Sequence, residues 1–582
     1  MNGIEWRSFD PSSFEEARTK DHPVLLFLTA AWCRWCREME TQTFADPGVV
    51  ELVTEHFIPI KVDKDRRPDI DERFNMGGWP STVFLTPSGE VITGGTYFET
   101  EDFREVLRRV AAYYREEKDQ IAVAVERLVE QEQERQRNRE LKRGKLSESI
   151  VAHVITSIVE GCDSEYGGFG SGQKFPHPEA IDFALLEFAK TQDPSLKRVI
   201  DSTLTAIVQG DLHDAEQGGF YRYCGTRDWR EPNTEKLLET NAGLLRNFLE
   251  AWQLLGKEEF RSAAEGIVRY LLTTLRDPET GGFAGSQDAD DAYYSLRAEE
   301  RRERTPPQVD RTIYTNWTAH AASSLFKAGA VLVRPDLTAA ATGAIEFLLH
   351  HCYAEGRGMY HYWDGSRHIL GLLTDQIYMA RALVHAVQYT GETDYLPVLD
   401  DLLGSIVRKQ SATHGGFYDI SEDHASFGSL RRRNKSILEN ALMAEVLIRA
   451  YYLSLDDNRL TLARRTLEAF AQDYHLFGYL SASYARAVDL FFHKPMHIVI
   501  VGKKGDQTRD QMVHAAAATF VPSKIVLALD PERDADLLRR LSFPAHDETT
   551  AYVCLERVCS AEVHDASMLP RAMTKAEKDR SK

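Results

Sequence analysis

The chain has 582 residues, 89 acidic against 70 basic, for a net charge of −19 at pH 7. That excess argues against a nucleic-acid partner, the length calls for several domains, and no run of about 18 apolar residues is present to cross a membrane. Seven cysteines are too few for a disulfide framework, and residues 1–7 have neither a basic start nor an apolar segment, so a reducing, cytoplasmic setting is expected.

The first predicted strand, Val24-Leu25-Leu26-Phe27-Leu28, leads directly into Trp32-Cys33-Arg34-Trp35-Cys36. Two cysteines two residues apart at the start of a helix are the sequence form of a thiol-disulfide site, because the thiolate is the nucleophile and a helix N-terminus favours it. Cys33 is therefore read as the attacking sulfur and Cys36, one turn on, as the resolving one. Residues 57–63 and 82–85 read as two further strands. Gly77-Gly78-Trp79-Pro80 precedes the second of these. A proline opening a strand opposite a dicysteine turn is expected to be cis, which places Pro80 in the site. Residues 86–90 read as a hairpin turn and residues 101–116 as a closing amphipathic helix. Zinc is one competing reading of the cysteines, but it needs about four ligands, and the other close pair, Cys554 and Cys559, is distant and differently spaced. The second alternative is an inert pair, with Trp32 and Trp35 packing the domain face. No metal and no cofactor are expected.

Residues 116–145, dominated by Glu, Gln, Arg and Lys, read as a solvated helical connector. Beyond it an internal repeat sets the architecture: Gly167-Gly168-Phe169, Gly218-Gly219-Phe220, Gly281-Gly282-Phe283 and Gly415-Gly416-Phe417, with weaker copies at Gly358-Met359-Tyr360 and Gly478-Tyr479-Leu480. Their first glycines lie 51 to 77 residues apart, room for two helices and their loops. Amphipathic segments such as 150–160 precede most copies and others such as 237–255 and 373–389 follow. Each unit therefore reads as a helical hairpin, and six hairpins close into an (α/α)6 toroid. An open solenoid is the alternative, though its repeats are shorter and more regular. A closed barrel of this kind gathers functional groups at the mouth where the glycine loops meet the inner helices. Lys174, Arg222, Trp229, Asp288 and Asp290 lie in those loops, a mixture suited to a carbohydrate: aromatic faces stack on sugar rings, while carboxylates and arginine bond hydroxyls. The competing reading is well-packed loops, in which Asp288 or Asp290 caps a helix or holds a turn.

Past Phe492 the pattern turns to strand, helix and strand over 497–502, 507–520 and 524–529, a small C-terminal α/β appendage. Gly502-Lys503-Lys504-Gly505 is too short for a phosphate-binding loop. Residues 551–554 add a strand, and Cys554 and Cys559 bracket a turn that a disulfide could close, with reduced thiols the favoured reading in a reducing compartment. The resulting division is 1–115, 116–145, 146–492, 493–568 and a disordered tail over 569–582.

The chain resembles the thioredoxin-domain family that includes spermatogenesis-associated protein 20, whose members join a thioredoxin-like domain to a six-hairpin toroid similar to N-acylglucosamine 2-epimerases. The resemblance rests on Trp35-Cys36, Lys61-Val62-Asp63, Arg67-Pro68-Asp69-Ile70-Asp71, Gly78-Trp79-Pro80, Gly94-Gly95-Thr96-Tyr97-Phe98, Gly167-Gly168-Phe169-Gly170 with Lys174-Phe175-Pro176, Glu235-Lys236 and Asp288-Ala289-Asp290. It implies a multidomain fold and adds Glu235, Lys236 and Asp375 to the toroid's substrate-binding candidates. The chain also departs from the family. A segment that there reads His-Phe-Glu-Lys-Met-Leu-Tyr-Asp runs here from Asn233 to Thr240 and loses the His and the Asp. Asparagine keeps a hydrogen-bonding group but not a proton carrier near neutral pH. Two functions follow as expectations. One is dithiol-disulfide exchange at Cys33 and Cys36 on a protein thiol client, with a toroid that binds client or carbohydrate. The other is a sugar-processing enzyme or sugar sensor with the thioredoxin-like domain as accessory.

Overall fold

A computed structural model describes residues 3–141, 143–424, 428–555, 558–560 and 562–580. Two compact units divide it: Met1–Lys142 with Asp419–Asn434, and Arg143–Tyr418 with Lys435–Lys582.

In the first unit β1 (Val24–Thr29), β2 (Ile58–Asp63), β3 (Ser81–Leu85) and β4 (Val91–Gly95) form one sheet in the order β2-β1-β3-β4. β1 runs parallel to β2 and antiparallel to β3. Its six residues are all buried, as expected of a continuous apolar run covered on both faces. Helices α1 (Pro11–Lys20), α2 (Arg34–Thr41), α3 (Pro47–His56), α4 (Pro68–Phe74) and α5 (Thr100–Glu116) accompany the sheet, and α6 (Lys118–Leu141) follows as the charged connector. Asp10 and Asp46 start α1 and α3 by accepting a backbone N–H three residues on, each with proline at the next position. The segment Asp419–Asn434, far away in sequence, completes this unit. Leu430 is buried with Phe9, Phe14 and Phe74, Arg73 pairs with Asp419 at 2.8 Å, and His424 bonds Asp69 at 2.9 Å.

The second unit is built of helical hairpins. α7 (Ser149–Gly161) precedes α8 (Pro178–Thr191), and α9 (Pro194–Gln209) precedes α10 (Leu238–Leu255). α11 (Glu258–Tyr270) leads past the short α12 (Asp291–Tyr294) and α13 (Ala298–Arg302) to α14 (Thr315–Val331). α15 (Pro335–His351) precedes α16 (Leu373–Thr390), α17 (Leu396–Gln410) precedes α18 (Ile437–Ser454), and α19 (Asp457–Glu468) precedes α20 (Ala482–Phe492). The second helices of these pairs touch in chain order, and α20 returns to α8, so the inner ring is closed and the open solenoid is excluded. Inner helices are buried nearly all round, as α18 is from Ile437 to Leu453, whereas an outer helix such as α11 keeps a charged face of Glu258, Arg261 and Glu265.

The appendage carries a second sheet in the order Lys524–Leu529, Met496–Val501, Thr550–Leu555, Val558–Cys559, with α21 (Gln507–Ala518) and α22 (Ala535–Leu541). Two expectations fail here. Leu569–Arg580 is a helix, α23, rather than a disordered tail, because Leu569 and Met573 are buried against Met496, Met512 and Val553. Cys554 and Cys559 form a disulfide instead of remaining thiols, since antiparallel pairing sets them directly opposite each other. Among the described residues no helix is long and apolar enough to cross a membrane.

Candidate functional site

At the end of β1 the chain turns so that Cys33 becomes the N-cap of α2, its Sγ accepting the backbone N–H of Cys36 at 3.2 Å. Donors at a helix N-terminus favour a thiolate there. Cys33 is 5% exposed and Cys36 fully buried, and the two are joined as a disulfide. The register of β1 on β3, with Leu28 opposite Ser81, brings the cis Trp79–Pro80 peptide to the same end of the sheet. The rings of Trp32 and Trp79 meet edge-on at 5.9 Å. Both indoles are fixed: Trp32 Nε1 donates to Asp65 at 2.7 Å and Trp79 Nε1 to Asp71 at 2.8 Å. Lys64 lies 4.7 Å from the Trp79 ring and pairs with Asp65. Trp35 is different, 48% exposed and resting on Tyr97. Cys33, Cys36 and Pro80 are thus brought together beside an exposed indole, an arrangement able to pass two electrons by thiol-disulfide exchange.

The toroid candidates are committed elsewhere. One turn recurs at Asp163–Phe169, Asp214–Phe220 and Asp277–Phe283: the aspartate's N–H bonds the second glycine's carbonyl, and its carbonyl accepts the first glycine's N–H. Its carboxylate accepts the N–H two residues on. Buried Lys174 donates to Asp163 at 2.9 Å and to the carbonyls of Gly167 and Gly170. Buried Lys236 repeats this with Asp214 at 2.5 Å and the Gly218 carbonyl at 2.9 Å. Against the burial that would raise it, Arg227 and Lys174 hold the Asp163 carboxyl well below the usual carboxylate range. Burial brings the Lys236 ammonium down to about 8 despite Asp214. Trp229, 1% exposed, lies on Gly168 so closely that a Cβ there would stand 2.5 Å from its ring. Its Nε1 donates to the Tyr166 carbonyl.

Asp290 caps α12 through the Tyr293 N–H, and the Asp288 N–H bonds the Gln308 carbonyl. Arg222 and Glu235 pair with each other at 2.6 Å. Asp375 is buried with both oxygens 3.0 Å from His361 Nδ1. None of these eight residues lines the cavities described next.

The polar groups that face the interior of the ring sit on the inner helices. Arg246 bonds Asp182 at 3.0 Å, Lys327 bonds Glu250 at 2.7 Å, Arg449 bonds Glu445 at 2.8 Å, and Arg486 pairs with Asp182. Their signal in sequence is a charged pair at i, i+4 inside an otherwise apolar helix, as Glu445 and Arg449 are in Ala441–Tyr452. Burial pushes His320 down to about 3 and His385 well below the ordinary imidazole value, so both are neutral. Asp182, Asn247, His320 and Tyr378 line a cavity of about 40 Å³. A groove of about 680 Å³ lies beside the second glycine turn, among Asp211, Glu216, Thr234, Asp291 and Arg297. No group of three or more His, Cys, Asp or Glu side chains suited to a metal ion occurs among the described residues.

Residues 1–133 match the family model Thioredox_DsbH, described as a protein of unknown function, DUF255. Along nearly all its length the chain is similar to Spermatogenesis-associated protein 20 of Homo sapiens, 24% identical over 710 residues that cover 98% of this chain and 90% of the relative. A shorter stretch is 36% identical over 94 residues to the Cellobiose 2-epimerase of Bacteroides fragilis, 16% of this chain and 24% of that one. Among solved structures, a sugar epimerase from a ruminal bacterium aligns with a TM-score of 0.49 at 13% identity, covering 60% of this chain and 99% of the other.

Proposed function

We propose that the protein carries out dithiol-disulfide exchange at Cys33 and Cys36. The observation that carries this reading is Cys33 at the N-cap of α2, with Cys36 one turn inside the helix and Pro80 at the same end of the sheet. In the reduced form the Cys33 thiolate attacks a sulfur of the client disulfide. That S–S bond breaks, the leaving sulfur takes a proton, and a mixed disulfide forms. Cys36 then attacks Cys33 Sγ, releasing the second client thiol and closing Cys33–Cys36, so two electrons pass to the client and an external dithiol restores the pair. Full burial of Cys36 keeps it from a bulky client and assigns the first attack to Cys33. The exposed Trp35 offers apolar surface to a protein client. A reducing, cytoplasmic compartment fits this direction of transfer. Reduction of insulin disulfides in the presence of dithiothreitol tests the reading. Wild type should accelerate it, Cys33→Ser should abolish the acceleration, and Cys36→Ser should trap a mixed disulfide. Equal rates for wild type and Cys33→Ser would overturn it.

A sugar-binding role for the toroid has one observation in its favour, the groove beside the second glycine turn. At about 680 Å³ it falls within the roughly 300–1,000 Å³ that organic ligands occupy, and it offers carboxylates and an arginine to hydroxyls. Thermal unfolding with mono- and disaccharides should show saturable stabilisation that Glu216→Gln removes. Flat curves with every sugar would end this reading.

A further inference from the structure

A second cavity, of about 70 Å³, lies between the C-terminal halves of α10, α14, α16 and α18, and Phe520–Lys524 of the appendage line its far side. The appendage is fixed there by Gln253, which donates to the Ala518 carbonyl, and by Arg509, which donates to the Gly391 carbonyl. Five cations of the inner helices line this space, Arg246, Lys327, Arg381, Arg449 and Arg486, together with Lys524 of the appendage, whose ammonium burial pushes well below its ordinary value, against one carboxylate, Glu250. Asp182 and Glu445, paired to Arg246, Arg449 and Arg486, bring the carboxylates to three. Lys524 is held by the carbonyls of Ala516, Ala517 and Thr519.

Arg381 is the exception. It is 8% exposed, and its Nε has no hydrogen-bond partner among the described residues. Nδ1 of His385, one turn further along α16, is buried and unpartnered in the same way. Burial and the neighbouring Arg246 push the Arg381 guanidinium down from its ordinary value. Glu445 attracts it, so what is incomplete is its hydrogen bonding, and a buried donor left unsatisfied is destabilising.

We infer that this cavity is a binding site for a free oxyanion of phosphate or sulfate size, with Arg381 as its principal donor. The anion accepts from the Arg381 Nε and adds negative charge where cations outnumber carboxylates. Size separates this ligand from a sugar. At about 70 Å³ the cavity is far below the roughly 300 Å³ at which organic ligand pockets begin. The appendage narrows the site, which disfavours the phosphoryl end of a larger ester against the free anion. None of this depends on the cysteines.

Full-length protein should be titrated calorimetrically with sodium phosphate, sodium sulfate and glycerol phosphate, at ionic strength held constant with gluconate, which is too large to enter. Phosphate or sulfate should bind saturably at one site and raise Tm, and glycerol phosphate should do neither. Arg381→Gln should weaken the binding by about tenfold or more, the loss expected for a charged hydrogen bond. In gluconate alone, Arg381→Gln should unfold at the same or a higher temperature, because a buried, incompletely hydrogen-bonded cation has been removed. Absence of saturable binding to wild type, or undiminished binding to Arg381→Gln, would overturn the site. Glycerol phosphate binding as tightly as phosphate would overturn the size limit, and a lower Tm of Arg381→Gln in gluconate would refute the incomplete bonding of the guanidinium.

Discussion

Replacing Lys236 by methionine tests whether the buried lysines of the toroid hold turns or face a ligand. Methionine keeps the apolar stem but removes the donors to Asp214 at 2.5 Å and to the Gly218 carbonyl at 2.9 Å. The carbonyl then stays unsatisfied, which costs about 1–3 kcal/mol. Asp214 keeps Arg301, whose Nη1 lies 2.8 and 3.0 Å from its two oxygens, so the roughly 3–5 kcal/mol of an abandoned buried charge is not reached. Lys236→Met should therefore cost about 2–3 kcal/mol, or about 4–6 °C in Tm at roughly 2 °C per kcal/mol for a large domain. Asp214→Asn should cost more, because two buried cations lose their carboxylate at once. The double variant should lose less than the sum, by about 0.5–3 kcal/mol of coupling. Differential scanning calorimetry of the three variants reads these shifts, with insulin reduction unchanged as the control. An unshifted Tm for Lys236→Met, or a milder loss for Asp214→Asn, would show that the ion pair does not hold the turn.

Gly168→Ala should destabilise by more than about 1–3 kcal/mol, because φ is +70° and the added Cβ meets the Trp229 ring; an unchanged urea midpoint would contradict this. Leu430→Ala, in the segment that completes the first unit, should cost about 2–5 kcal/mol, read as faster proteolysis of residues 3–141. Equal digestion rates would argue against that role. His320 titrates near 3 in the folded state and near 6.5 in the unfolded chain. The unfolded chain thus binds a proton that the folded one refuses, and stability present above pH 6.5 is lost as pH falls towards 3. The slope is up to about 1.4 kcal/mol per pH unit. His320→Gln should flatten it, and an unaltered acid profile would refute the assignment.

Local chemistry was legible where it was contiguous. The apolar run of β1, the Cys33–Cys36 spacing and Gly78-Trp79-Pro80 lie on short stretches, and each takes its meaning from its immediate neighbours. The glycine repeat was legible too, and its fuller form, Asp-x-Glu-x-Gly-Gly-Phe at Asp163, Asp214 and Asp277, already contains the carboxylate that Lys174 and Lys236 satisfy. The roles of those lysines were not legible, because a charged side chain in a loop reads as ligand-facing until its burial is known. The tail was misread for the reverse reason: α23 has the composition of a solvated segment, and only Leu569 and Met573 tie it to the core.

The sequence by itself determined the two architectures and the dithiol pair, since strand alternation, helix periodicity and a CxxC turn are properties of neighbouring residues. Only the tertiary structure decided that Asp419–Asn434 belongs to the first unit, that Asp375 meets His361, and that the inner helices bring an excess of cations around one small cavity. Those facts rest on contacts between residues distant in sequence, and burial, which sets the energy of every charge involved, exists only once the ring has closed.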